Sequence, residues 1–195
     1  MSASRFAIVA ALACVAAQAQ NFPARPIRIE TGGPGSNGDF ISRLLGQQLL
    51  LTLGQQIVVE NRTSGIILGQ TVATAQADGY TLLVTGSSFW LAPFLEKDVP
   101  WDPLRDFTPV GLLSTSPNLI VVHPSVPAKT VKDLIALAKA RPGQLNYASG
   151  STGSAPHLAA ELFNVMAKVT IVRVNYKGAG AAMNDLVGGQ VQVMF

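Results

Sequence analysis

Four short runs of small residues are where this sequence could do chemistry. Gly32-Gly33-Pro34-Gly35-Ser36-Asn37-Gly38-Asp39 and Ser149-Gly150-Ser151-Thr152-Gly153-Ser154 mix glycines, which let a ligand approach the backbone, with side chains that donate or accept hydrogen bonds. Thr85-Gly86-Ser87-Ser88 and Asn175-Tyr176-Lys177-Gly178 are shorter runs of the same kind. Each follows a stretch with strand character. Loops so placed aim backbone N–H groups, and the positive end of a following helix, at whatever lies outside the strand ends, which suits non-covalent capture of a small anion. Asp39, just after the glycines at a helix start, reads as a brace for its own loop, because a carboxylate facing an anion would repel it. His157 either fastens the second loop or donates to a ligand, and fastening is the favoured role. Lys177 reads equally as a source of positive charge or as a solvated surface lysine.

Other chemistries fit less well. Gly33-Pro34-Gly35-Ser36-Asn37-Gly38 satisfies G-x-G-x-x-G, and Glu60 ends the next strand about where a ribose-binding acid would sit, so a dinucleotide-binding oxidoreductase is the runner-up. Pro34 weighs against it by removing a backbone donor from the turn that would hold pyrophosphate. No Walker sequence occurs, and Ser149, Ser151 and Ser154 lack the paired glycines of a nucleophile elbow. A hydrolase using Ser151 or Ser154 with His157 lacks an orienting acid nearby. The two histidines, His123 and His157, have no second ligand at metal-binding spacing, and His123, before Pro124 at a strand end, reads as structural. The expectation is a protein that is not an enzyme and uses no cofactor or metal.

These loops must be carried by alternating strands and helices. Ile27–Glu30 is expected as a strand, followed by a helix from Asp39 with Phe40, Ile41, Leu44, Leu45 and Leu49 on one face and Gly54 as its stop. A strand over Ile57–Glu60, a helical stretch to about Gln76 and a strand over Tyr80–Thr85 complete the opening unit. Ala92–Pro109, with four prolines and Trp101, reads as an irregular connection. Strands are expected over Val110–Leu113 and Leu119–His123, with a hinge over Ser114–Asn118. Thr130 should cap a helix carrying Val131, Leu134, Ile135 and Ala138 on one face and ending at Arg141-Pro142-Gly143. A strand over Leu145–Ser149, a helix from Ser154 to Ala167, a strand over Thr170–Val174, a helix from Ala179 to Val187 and a strand over Gln190–Phe195 follow. A chain stopping inside a strand reads as truncated.

At the N-terminus, Arg5 precedes an uncharged run from Phe6 to Ala17 and an Ala17-Gln18-Ala19 site, the pattern of a signal peptide cut after Ala19. Ala11-Leu12-Ala13-Cys14 loosely matches a lipoprotein processing site, with Ala11 where Leu is expected. The only cysteine lies within this leader. With 14 basic and 11 acidic residues in 195, the net charge is +3, and the basic residues are scattered without interleaved aromatics, so no nucleic-acid surface is expected. The domain reading is a signal peptide over 1–19, a first lobe over 20–114 and a partial second lobe over 115–195.

Several segments together resemble the Bug family of periplasmic receptors, the solute-binding components of tripartite tricarboxylate transporters. They are Phe22-Pro23-Ala24-Arg25-Pro26-Ile27-Arg28, Pro34–Asp39, Val58-Val59-Glu60-Asn61-Arg62, Ala77-Asp78-Gly79-Tyr80-Thr81-Leu82-Leu83, Asp102-Pro103-Leu104-Arg105-Asp106-Phe107, Val122-His123-Pro124-Ser125-Val126-Pro127, Leu145-Asn146-Tyr147-Ala148-Ser149 and Tyr176-Lys177-Gly178. The resemblance implies an α/β, two-lobed type II periplasmic-binding-protein fold, incomplete at the C-terminus. It would close on a small carboxylate and present it to a membrane permease or a sensor partner. Carried over by position, the ligand-binding residues are Pro34, Gly35, Ser36, Asn37, Gly38 and Asp39; Thr85, Ser87 and Ser88; and Ser149, Gly150, Ser151, Thr152, Gly153, Ser154 and His157. Two departures stand out. Thr63-Ser64-Gly65-Ile66-Ile67-Leu68-Gly69 is shorter and more apolar than the family's loop, and Glu30-Thr31-Gly32 replaces its usual hydrophobic segment.

Overall fold

The computed structural model describes residues 22–195, so the signal-peptide reading, Cys14 included, lies outside the described residues. Two sheets organise two lobes. In the first, β1 (Ile27–Thr31) lies between β2 (Ile57–Asn61) and β3 (Thr81–Val84), all parallel. In the second the order is β4 (Val121–Val122), β7 (Val193–Met194), β5 (Asn146–Ser149), β6 (Val172–Asn175), with β4 antiparallel to β7 and the other pairs parallel. Helices α1 (Asn37–Leu53), α2 (Gly65–Ala73) and α3 (Ser87–Leu95) belong to the first half, and α4 (Val131–Ala140), α5 (Ala155–Ala167) and α6 (Ala179–Val187) to the second.

Local chemistry sets the boundaries. Ser36 caps α1 by accepting from the Asp39 N–H, and Gly54 ends it at φ 68°, a left-handed conformation that glycine adopts without a steric penalty. Thr130 and Asp133 close a reciprocal capping box on α4. The second core gathers Leu134, Ala138, Tyr147, Ala160, Ile171 and Val193 between sheet and helices, while Ala182, Leu186 and Val191 fill the space under α6. In the first lobe Phe89 stacks on Trp101 at 4.5 Å between ring centroids, with Phe107 edge-on to both.

Three expectations are corrected. Helix α1 covers only part of its expected apolar face: Ile41, Leu45 and Leu49 are half-buried, but Phe40 is 66% and Leu44 52% exposed, and the fully buried positions are Asp39, Ser42 and Gly46. The small residues let the helix lie close to the sheet, where a Cβ on Gly46 would stand 3.3 Å from Ile57. Helix α3 replaces the start of the expected irregular connection despite Pro93 within it. Proline there forfeits one bond, to the Phe89 carbonyl, and the aromatic stack on Phe89 holds the turn. Finally, Val110–Leu113 forms no strand and Leu119–His123 contracts to the two residues of β4. The segment has no neighbouring strand among the described residues to pair its N–H and C=O groups, and Val110 and Leu112 stand in solvent.

The departures at Gly65–Gly69 and Glu30 also find their places. Ile66 offers its carbonyl to the Trp101 indole N–H at 3.0 Å, and Gly69 leaves the space in which that indole lies. That segment is therefore part of the aromatic core. Glu30, fully buried on the central strand, accepts from Arg62 at 2.9 Å.

Candidate functional site

The loop Gly32–Ser36 passes from β1 into α1, and its shape is set by one carboxylate. Asp39 Oδ2 accepts from the Gly35 N–H at 3.0 Å, while Oδ1 accepts from Asn61 Nδ2 at 2.8 Å and from Arg43 Nε at 3.0 Å. Burial alone would raise the pKa of this group; the hydrogen bonds from Asn61, Gly35 and Arg43 outweigh it and hold Asp39 below the usual carboxylate value. Asn61 also donates to the Gly32 carbonyl at 2.7 Å. Asp39 is thus the brace expected of it, turned into its own loop. Thr31 Oγ1 donates to the Val84 carbonyl and ties this loop to the end of β3, ahead of Thr85.

The loop Ser149–Ser154 passes from β5 into α5 and is braced differently. His157 Nδ1 accepts from the Gly153 N–H at 3.1 Å, which fixes the imidazole as a neutral acceptor at that nitrogen. Desolvation and the neighbouring Arg173 charge both push its pKa below the ordinary value. Arg173, on β6, reaches across: Nε donates to Ser149 Oγ at 2.7 Å, Nη2 to the Gly150 carbonyl at 2.8 Å and to Asn175 Oδ1 at 3.1 Å, and Nη1 to Thr152 Oγ1 at 3.3 Å. Ser149 is wholly buried, and Ser154 Oγ is buried without a partner.

The two halves meet at these loops. Ser87 Oγ, in the first turn of α3, donates to the Gly153 carbonyl at 2.9 Å. Gly33 lies so close to the Lys177 carbonyl that a Cβ would overlap it, and a Cβ on Gly178 would stand 2.7 Å from the Pro34 carbonyl. Gly35 faces Gly180, and Gly153 faces Ser88 and Leu95. All four runs of small residues therefore come together. Thr85 and Ser88 lie beside this junction on the β3–α3 side, and Ser36 and Asn37 at the α1 cap. A groove of about 540 Å³ lined by Val122, His123, Val126 and Lys129 takes no residue from these loops.

The features that favoured other chemistries are already engaged. Glu60 pairs with Arg28 and Arg62, and the Gly35 N–H, which a Rossmann turn would turn to phosphate, is taken by Asp39. Ser154 Oγ makes no bond to His157, whose Nδ1 is held by Gly153. Among the described residues no cluster of three potential metal ligands occurs, and no helix is long and apolar enough to cross a membrane.

Residues 41–195 match the family described as tripartite tricarboxylate transporter family receptor. The chain belongs to that family. It is 39% identical over 178 residues to protein BugT of Bordetella pertussis, covering 89% of this chain and 55% of BugT. It is 36% identical over 176 residues to a UPF0065 protein from the tcbD-tcbE intergenic region of Pseudomonas sp. strain P51, covering 89% of this chain and 52% of that one. Among solved structures, this receptor-family chain superposes on an R. palustris protein solved with adipate at a TM-score of 0.83 and 36% identity, covering 89% and 59% of the two chains. It matches MatC from Rhodopseudomonas palustris with bound malate at 0.82 and 32%, covering 89% and 60%. The two-lobed periplasmic-binding-protein fold follows. The chain spans just over half the length of the curated relatives it matches.

Arg173, Asn61 and Arg43 organise the site and escaped the motif reading. Arg173 was visible as the one charge in the apolar run Ile171-Val172-Arg173-Val174, ahead of the Asn175–Gly178 loop.

Proposed function

We propose that this chain is the ligand-capturing part of an extracytoplasmic receptor that holds a small carboxylate between its lobes and delivers it to a membrane partner. The convergence of the loops carries the reading: the Ser87–Gly153 bond and the Gly33–Lys177 approach bring small-residue runs from both lobes to one place, outside the strand ends. Relatives solved with adipate and malate point to a dicarboxylate as the ligand class. In this reading the lobes divide near residue 114, with Pro34–Asp39, Thr85, Ser87 and Ser88 on one wall and Ser149–Ser154 with His157 on the other.

The mechanism is closure. The ligand, held by backbone amides and hydroxyls of both walls, binds the closed state better than the open one, so it shifts the population toward closure and presents a composite surface to the partner. The partner is a permease of the tripartite type or a signalling protein reading the same closed form. The leader would deliver the chain to the periplasm. No covalent step is involved.

A thermal-shift screen of the full chain against adipate, malate, citrate and NAD tests this. A carboxylate at one hundred times its dissociation constant should stabilise the fold by about 2.7 kcal/mol. A rise with NAD alone, or none with any carboxylate, would sink the receptor reading.

A further inference from the structure

The five arginines from Arg25 to Arg105 are all neutralised in place: Arg25 by Asp78, Arg28 by Glu60, Arg43 by Asp39, Arg62 by Glu30 and Glu60, and Arg105 by Asp106. Arg173 is different. It is half-buried, and none of the ion pairs among the described residues includes it. Its four acceptors, Ser149 Oγ, Gly150 O, Thr152 Oγ1 and Asn175 Oδ1, are all uncharged. Glu161, an acid in the same surroundings, accepts from the Tyr147 hydroxyl at 2.5 Å and makes no ion pair with Arg173. His157, the other titratable neighbour, accepts from Gly153 and adds no negative charge.

A guanidinium has five N–H donors, and four are used, leaving one on Nη1 beside Thr152. A partly desolvated cation whose hydrogen bonds all go to neutral groups has no carboxylate in direct contact with it. Helix α5, which begins at this loop, has no acidic residue in its first turn, so its positive end is uncompensated as well. Both fields act on the Ser149–Ser154 loop.

We propose that Arg173 is a positioning residue for an anionic ligand: it shapes the Ser149–Thr152 turn through four neutral acceptors and leaves its charge for the ligand's carboxylate to neutralise. This rests on the receptor reading. It makes the second lobe the side that selects for ligand charge, and the first lobe, whose arginines are all spent, the side that contributes shape.

The test is calorimetric titration of the full chain with adipate and with malate at low and high NaCl, for wild type, Arg173→Gln, Arg173→Lys and Arg141→Gln. Arg141 is an exposed second-lobe arginine at the end of α4 and serves as the charge control. Arg173→Gln should weaken binding about 10- to 100-fold and flatten the loss of affinity with salt. Arg173→Lys, which keeps the charge without the fork, should weaken binding less and keep the wild-type salt response. Arg141→Gln should match wild type.

Wild-type affinity in Arg173→Gln overturns the proposal, as does an unchanged salt response in that variant, which would leave Arg173 a brace and nothing more. If Arg173→Gln does not fold by circular dichroism, the lysine variant decides: retained salt response supports the charge role, and a flattened one overturns it. A wild-type chain that binds neither acid overturns the receptor reading itself, and the inference with it.

Discussion

Two loops occupy the same place in their lobes, each between a strand and a helix, and they are braced by opposite charges. In the first, the Asp39 carboxylate gathers the Gly35 amide, Asn61 and Arg43, and sits in the first turn of α1, where it compensates the helix's positive end. In the second, a cation and a neutral imidazole do the gathering, and the first turn of α5 carries no acid. The same fold unit can therefore give a wall whose field is cancelled locally or one whose field projects outward. Which of these a loop becomes depends on one or two residues outside its small-residue run: Asp39 and Asn61 for one, Arg173 and His157 for the other.

The sharpest way to break this comparison is to remove the anionic brace. Asp39→Ala leaves the Gly35 amide, the Asn61 amide and the half-exposed Arg43 without their shared acceptor, and should cost about 2 to 3 kcal/mol in a urea melt. The pH sign follows from a carboxyl held below its unfolded value of 3.8: its contribution is complete above that value and is lost as pH falls through the lower folded pKa. Asp39→Asn should accordingly flatten the acid limb of the wild-type stability curve. An unchanged melt in Asp39→Ala would mean that the loop holds its shape without the brace. Next in size, Gly33→Ala puts a methyl group where the Lys177 carbonyl lies, so the loops must part at a cost of about 1 to 3 kcal/mol. The loss should fall on ligand affinity more than on urea stability, because the open form relieves the overlap. Equal losses in both would show that the two lobes do not separate there.

Helix ends and small-residue loops were legible because their signals are local. Gly54, the Thr130 cap and the limits of α6 at Ala179 and Val187 all follow from residues within a turn or two. What escaped depended on neighbours distant in sequence. Helix α3 tolerates Pro93 because Trp101 stacks on Phe89, and the apolar alternation around Val110 yields no strand because no described segment pairs with it. The buried line of α1 follows Ser42 and Gly46 rather than Phe40 and Leu44, since close approach to Ile57 favoured the small side chains. Of the site, the hydroxyl and glycine runs could be read directly, and the roles of Asp39 and His157 followed from helix-start chemistry. Arg173 could not be weighed until its four uncharged acceptors were visible in space.

Two smaller effects sharpen the comparison from each side. His157→Leu removes the acceptor of the Gly153 N–H and should cost about 1 kcal/mol, read as faster hydrogen exchange at that amide. Its folded pKa lies below the unfolded 6.5, so as pH falls the unfolded chain takes up the proton first, and the wild-type contribution, complete above that value, fades below it. The Gly153 amide should thus lose protection on acidification in wild type and stay insensitive in the variant; identical pH responses would place the brace elsewhere. On the opposite wall, Arg43→Ala removes a cation whose side chain is 56% exposed, and its effect should stay within about 0.5 kcal/mol. That asymmetry separates the two loops: Asp39 keeps Gly35 and Asn61 after Arg43 is gone, so the anionic brace does not depend on its exposed cation. A loss for Arg43→Ala as large as that for Asp39→Ala would show instead that the first loop, like the second, is held by a guanidinium.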